Sequence, residues 1–313
     1  MRKRVARRRR APIGATTALV ASLAGGGCAA ERALAFPSPE AAVESLVDAL
    51  RAHDVDRARA ILGPGAHEVL SSGDAEADRR TRETFLAYFD EHHRLVSGSE
   101  AGMTLLLGRT EWPMPIPLVD DGGEWSFDTE AGLDEILTRR IGRNELDAIE
   151  VCRAFVDAQR EYAALDPDGD GVAAYAERVF SDPGTRNGLY WPTAPGEPPS
   201  PLGERVAAAV EEGYPAAGAA SGGPRPFHGY FYKLLKSQDS SAPGGALDYV
   251  VDGMLVSGFA LLAYPAEYGN SGIMTFLVHH SGVIWETDLG DATARIARGI
   301  DSLGPGRGWS EVE

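Results

Sequence analysis

Residues 258–289, GFALLAYPAEYGNSGIMTFLVHHSGVIWETDL, decide the fold. Three runs rich in branched and aromatic residues are separated by Tyr-Gly-Asn-Ser-Gly and by Ser281-Gly282. Apolar runs of this length, bounded by turn residues, read as strands. His280-Ser281-Gly282 is a tight hairpin turn, and a tight hairpin joins antiparallel neighbours. HGYFYKLL (228–235) and ALDYVVDG (246–253) add strands upstream. A helix over about 291–302 closes the chain.

Ahead of this sheet a helical pattern runs over roughly 143–164. Leu146, Ile149, Cys152, Phe155-Val156 and Tyr162 recur at three-to-four spacing, with Asn144 as a start. A short helix is expected at about 172–180 and another at 204–212, between Pro- and Gly-rich loops at 182–203 and 214–227. Further back, 37–70 reads as two helices. Ser38 caps the first and Asp54 the second, and Gly63-Pro64-Gly65 stops the latter. Residues 75–94 form a charged helix carrying His92-His93. MTLLLG, MPIPLV and EWSFD read as strands, the last two joined at Asp121-Gly122-Gly123. Alternating Pro113, Pro115 and Pro117 confine one of them to an edge. The fold class is α+β. A helical and short-strand subdomain at 36–130 packs on a helix-plus-antiparallel-sheet subdomain at 131–313.

The long helix runs into DPDGDGVAAYAE, residues 166–177. With Asp166 at position 1, Asp168, Asp170, Gly171 and Glu177 fall at 3, 5, 6 and 12 of a calcium-loop pattern. Calcium takes six to eight oxygens, which alternate residues of a tight loop supply. The Val172 carbonyl stands at position 7, and Glu177 would close the site. The alternative is an acidic turn between two helices.

The chain has 313 residues and a formal charge of −16, but it begins MRKRVARRRR, followed by an apolar stretch. That is an export signal. Before residue 36 there are eight Arg or Lys and one Glu, so the remaining body carries −16 − 7 = −23. Such a body disfavours nucleic acid and anionic lipid. Two cleavage readings stay open. Ala33-Leu34-Ala35 would release residues 1–35, whereas Cys28 would accept a lipid after removal of 1–27. The Cys28 anchor is the one membrane attachment the sequence suggests.

The sequence carries no familiar catalytic signature. G-x-S-x-G, H-E-x-x-H, C-x-x-C and Walker patterns are absent. Cys152 reads as a buried apolar residue. His279-His280 borders a hairpin, where one ring points in and one out, and a hydrolytic site there would pair His280 with Ser281 and Asp288. Arg139, Arg140, Arg143 and Asn144 form a basic island, read as complementation between subdomains or as an anion or partner site. Aromatic clusters at Tyr190-Trp191 and Phe227–Tyr232 read as core and loop anchors, or as a groove for a glycan or peptide.

PSPEAAVESLVDAL, WPMPIPLV, the long stretch from RRIGRNELDAIE to AAYAERVF, GLYWP, GEPPSPLG and SGIMTFLVHHSGVIWETDLG together resemble the bacterial family catalogued as domain of unknown function 2950. The resemblance implies an exported bacterial protein and no assigned activity. Residues 37–128 also resemble an NTF2-like module, and 143–287 is similar to the globular head of a type IV pilin-like protein. The expectation is therefore a periplasmic or outer-membrane-associated, non-enzymatic, calcium-stabilised binding or structural module, whose partner is an envelope protein or glycan. The alternative is an envelope hydrolase or glycan-processing enzyme with an unrecognised carboxylate site.

Overall fold

The computed structural model describes residues 32–98, 102–167, 169–194, 196–214 and 224–312. Cys28 and almost all of the export segment lie outside the described residues. Residues 31–313 cluster as one compact unit with two hydrophobic centres.

The first centre is built as the capping residues direct. Ser38 Oγ accepts the Ala41 amide at 3.2 Å and opens helix α1 (Pro39–Arg51). Asp54 accepts the Arg57 amide at 2.9 Å and opens α2 (Val55–Leu62), which Gly63 ends with φ +71°. A short α3 (Ala66–Leu70) precedes α4 (Ala75–Glu91). The charged helix stops earlier than its composition suggests. His92 turns extended, and its carbonyl accepts the Gly108 amide at 2.8 Å, so His93 begins strand β1 (His93–Ser97). Strands β2 (Gly102–Leu107), β3 (Trp112–Pro113), β4 (Leu118–Asp121) and β5 (Glu124–Phe127) complete an antiparallel sheet of order β1-β2-β4-β5, with β3 also on β2. The expected β4–β5 hairpin turns at Gly122 and Gly123, both with positive φ. Leu46, Ile61, Leu105, Ile116 and Leu118 fill the space between helices and sheet.

The long helix is longer than its apolar stripe. Helix α5 spans Thr129–Leu165, starting where Asp128 accepts the Ala131 amide at 3.2 Å. The apolar spacing misses this first third because that part packs on the first centre through Thr129, Gly132 and Ile136. The remainder packs Ala148, Cys152, Phe155 and Tyr162 into the second.

Helix α6 (Gly203–Glu211) leads to that second centre. Its sheet uses β6 (Tyr230–Leu235), while the two-residue strands β7 (Ser237–Gln238) and β8 (Leu247–Asp248) pair beside it. The run ALDYVVDG does not join the main sheet. It divides between β8 and a small hairpin of β9 (Val250–Val251) and β10 (Met254–Leu255), turning at Asp252-Gly253 with positive φ. Strands β11 (Ala260–Pro265), β12 (Met274–His279) and β13 (Ile284–Asp288) come next, then α7 (Thr293–Arg298) and β14 (Ser310–Glu311). The order is β14-β13-β12-β11-β6, antiparallel throughout. Every residue of β11 is buried, and both α5 and α7 pack on it. A strand covered on both faces has no polar side to show, hence its unbroken apolar sequence.

The helix expected at 172–180 is not formed. Its backbone groups have other partners. The Tyr175 amide donates to the Leu255 carbonyl at 2.7 Å, and the wholly buried Gln159 takes both Ala176 groups, at 2.8 and 2.9 Å. The Arg178 and Val179 carbonyls accept the Leu189 and Tyr190 amides at 3.1 and 2.8 Å. Tertiary hydrogen bonds thus prevail over a local helix of low intrinsic strength.

Candidate functional site

The acidic loop folds as a helix terminus. Asp166 ends α5 in the left-handed region (φ +44°), and Gly169 and Gly171 also have positive φ. Asp166 Oδ2 accepts the Gly171 amide at 3.0 Å, and Asp170 Oδ1 accepts the Val172 amide at 2.7 Å. The Val172 carbonyl accepts the Ala174 amide at 2.8 Å. Glu177, without an exiting helix to carry it, pairs with Lys236 at 2.6 Å. Asp168 lies outside the described residues. One feature fits a cation: Asp166 Oδ1 is buried and has no partner. Among the described residues, no three His, Cys, Asp or Glu side chains gather as a metal-holding group.

His280 Nδ1 is buried without a partner, and the ring beside Ser281 Oγ is that of His279, which does not activate it. His279 Nδ1 accepts the Ser281 amide at 2.9 Å, so the neutral ring carries its proton on Nε2. Nε2 lies 3.4 Å from Ser281 Oγ and therefore donates to it, and Ser281 Oγ also accepts the Val283 amide at 3.2 Å. A base must accept the hydroxyl proton, and this ring points a proton at it instead. Burial, and then the neighbouring His280, lower the His279 pKa to about 4. Asp288 is engaged elsewhere, by the Tyr268 hydroxyl and the Gly290 amide. Cys152 is fully buried, and desolvation pushes its pKa up to about 12. A thiol held that firmly protonated is a packing group.

The basic island joins the two centres. Arg140 donates to the Glu68 carbonyl at 2.6 Å, to the Val69 carbonyl at 3.1 Å and to Asn270 Oδ1. Asn144 donates to the Ser271 carbonyl at 2.9 Å. Within the aromatic clusters Tyr230 is fully buried and Trp191 nearly so, while Tyr190, Phe227, Phe231 and Tyr232 are half-buried.

Two features had no readable signal. The first is Asp74, which looks like an ordinary helix cap. It is buried, and while Oδ1 accepts the Glu76 and Ala77 amides, Oδ2 accepts the Tyr214 hydroxyl at 2.8 Å and the Gly229 amide at 2.9 Å. Beside it His228 has φ +50°, with Nδ1 3.3 Å from Asp147 and Nε2 3.4 Å from Glu212. Desolvation, with the Asp74 charge, raises the Tyr214 pKa.

The second is a partly open cavity of about 130 Å³ lined mainly by α1, α2, α3 and α4. Leu46, Leu50, Leu62, Leu70, Phe85 and Met114 form its apolar wall, and Asp78, Arg82 and Arg140 its polar side. Asp78 is satisfied by Ser72, whose amide and hydroxyl donate to it at 3.0 and 2.6 Å; desolvation still raises its pKa. Arg140 is held by the Glu68 and Val69 carbonyls, and burial lowers its pKa. Arg82 differs. Its Nε is buried without a partner, and no ion pair to it exists among the described residues. The apolar lining residues look like ordinary core in sequence, and the charged ones like helix surface. Only the spacing of four helices leaves the void.

A family model described as "Protein of unknown function (DUF2950)" matches residues 33–312. No curated protein and no solved structure matches the chain. Among the described residues no helix is long and apolar enough to cross a membrane.

Proposed function

Taking as premise that the chain belongs to this DUF2950 family, we propose that it is an exported, non-enzymatic binding module whose ligand site is the cavity between α1, α2, α3 and α4. The observation that carries the reading is an apolar void with one unpartnered guanidinium on its wall. Concave, mostly apolar pockets with few polar groups are the usual form of small-ligand sites. Two of the charged groups there are committed, Asp78 to Ser72 and Arg140 to backbone carbonyls, which leaves them to shape the wall rather than to react. Export rests on the basic and apolar N-terminus. An apolar cavity of about 150 Å³ holds one benzene, so benzene is a suitable neutral probe. Benzene at saturation is expected to raise the Tm by a few degrees and to shift the methyl resonances of Leu46 and Met114. Ala49→Leu, which fills the void, should abolish both. Unmoved methyl resonances in the wild-type protein would end this reading.

The proposal extends to calcium on loop 166–177, held by Asp166, Asp168, Asp170, the Val172 carbonyl and Glu177. The orphaned Asp166 Oδ1 supports it. Glu177 would have to exchange Lys236 for the ion. Millimolar calcium is expected to raise the Tm by a few degrees over chelator, as native-state binding at 100-fold over Kd adds about 2.7 kcal/mol. Asp170→Ala should remove the response. A Tm indifferent to calcium, with no heat on titration, leaves an acidic turn.

A further inference from the structure

We propose that the occupant of the helical cavity is a small monoanion: a carboxylate carrying an apolar group of about five or six carbons, its head paired with Arg82. This rests on the cavity being a binding site and adds the charge and size of the ligand. The size comes from volume. Roughly 150 Å³ takes a benzene ring, and the void measures about 130 Å³.

The charge comes from what each polar group on the wall still lacks. Asp78 accepts both the amide and the hydroxyl of Ser72, and Asp54 accepts the Arg57 amide as the cap of α2. Arg140 donates to the Glu68 and Val69 carbonyls and to Asn270. Thr81 donates to the Ala77 carbonyl and His53 is exposed to solvent, so the buried polar group left without a partner is Arg82, whose Nε–H is shielded from water. A buried donor without an acceptor is costly, more so on a charged group. Asp78, one turn before it on α4, does not supply the acceptor, because its carboxylate is turned to Ser72. The edge formed by Nε and its neighbouring amino group matches a carboxylate in two parallel hydrogen bonds. Asp78 and Asp54 also line the void, so a second negative charge on the ligand would meet repulsion. Single charge and planar geometry together select a carboxylate over a phosphate. The apolar wall then takes the chain out of water, which favours binding in proportion to the apolar area buried.

Three ligands of similar size, one anionic, one neutral and one cationic, test this with the full chain: hexanoate, 1-hexanol and hexylamine, titrated by calorimetry and by methyl resonances. In the wild-type protein hexanoate is expected to bind at least about tenfold tighter than hexanol, with hexylamine weakest, since a charge-assisted bidentate contact exceeds a neutral one. Arg82→Gln should remove the preference for hexanoate while hexanol binds as before. Equal or tighter binding of hexanol by the wild-type protein would overturn the anion assignment and leave the cavity reading standing. A hexanoate preference surviving in Arg82→Gln would overturn the role of Arg82. If none of the three binds, the assignment and the cavity reading fall together. Should Arg82→Gln not fold, the wild-type ratio alone decides.

Discussion

Asp74→Asn is expected to destabilise the protein by about 4 kcal/mol, nearly as much as Asp74→Ala, although asparagine is the closest isostere. The reason is the direction of four donors. Oδ1 accepts the Glu76 and Ala77 amides at 3.2 Å, and an asparagine oxygen can keep that role. Oδ2 accepts the Tyr214 hydroxyl at 2.8 Å and the Gly229 amide at 2.9 Å. An amide nitrogen there would face two donors with a third. Each hydrogen bond to a charged group is worth about 1.5–3 kcal/mol, and the stranded donors stay buried. Flipping the amide only moves the conflict to the α4 cap. Tyr214→Phe removes one donor and keeps the carboxylate, so it should cost about half as much. Urea unfolding measures all three variants. A loss under about 1 kcal/mol for Asp74→Asn would mean that this junction between the two centres is solvated in solution.

Two glycine substitutions in α5 are expected to act with opposite sign, separated by about 3 kcal/mol. Helix propensity favours alanine over glycine by about 1 kcal/mol at either place. At Gly142 an added Cβ meets nothing within 4 Å, so Gly142→Ala should show that gain. At Gly132 the same Cβ would sit 2.6 Å from the Pro115 carbonyl oxygen and 2.8 Å from Ile116 Cα. These are backbone atoms of a Pro-restrained segment leading into β4, and no rotamer change can move them aside. Overpacking of this kind costs about 3 kcal/mol. Thermal or urea unfolding of the pair gives the sign directly. Stabilisation by both would show that α5 does not approach the first sheet this closely.

The β-rich end was legible in the sequence because its strands are short, apolar and separated by turn residues whose conformations are local. Gly122-Gly123 and the His280–Gly282 turn form as expected, since a hairpin depends on residues adjacent in sequence. The helix starts at Ser38 and Asp54 were legible for the same reason. The helix at 172–180 was misread because its outcome rests on Gln159 and Leu255, which no local pattern connects to Ala176 and Tyr175. The first third of α5 was missed because it meets the other hydrophobic centre, with a glycine where an apolar stripe would show a large residue.

By itself the sequence determined the α+β class, the caps, the hairpins and the acidic character of the chain, all carried by composition and by contacts a few residues apart. Only the tertiary structure decided the candidate site. It assigned Asp78 to Ser72 and Arg140 to carbonyls about seventy residues away, and left Arg82 beside a void without a partner. Whether a side chain is satisfied depends on which distant groups reach it, and residue spacing along the chain does not encode that distance.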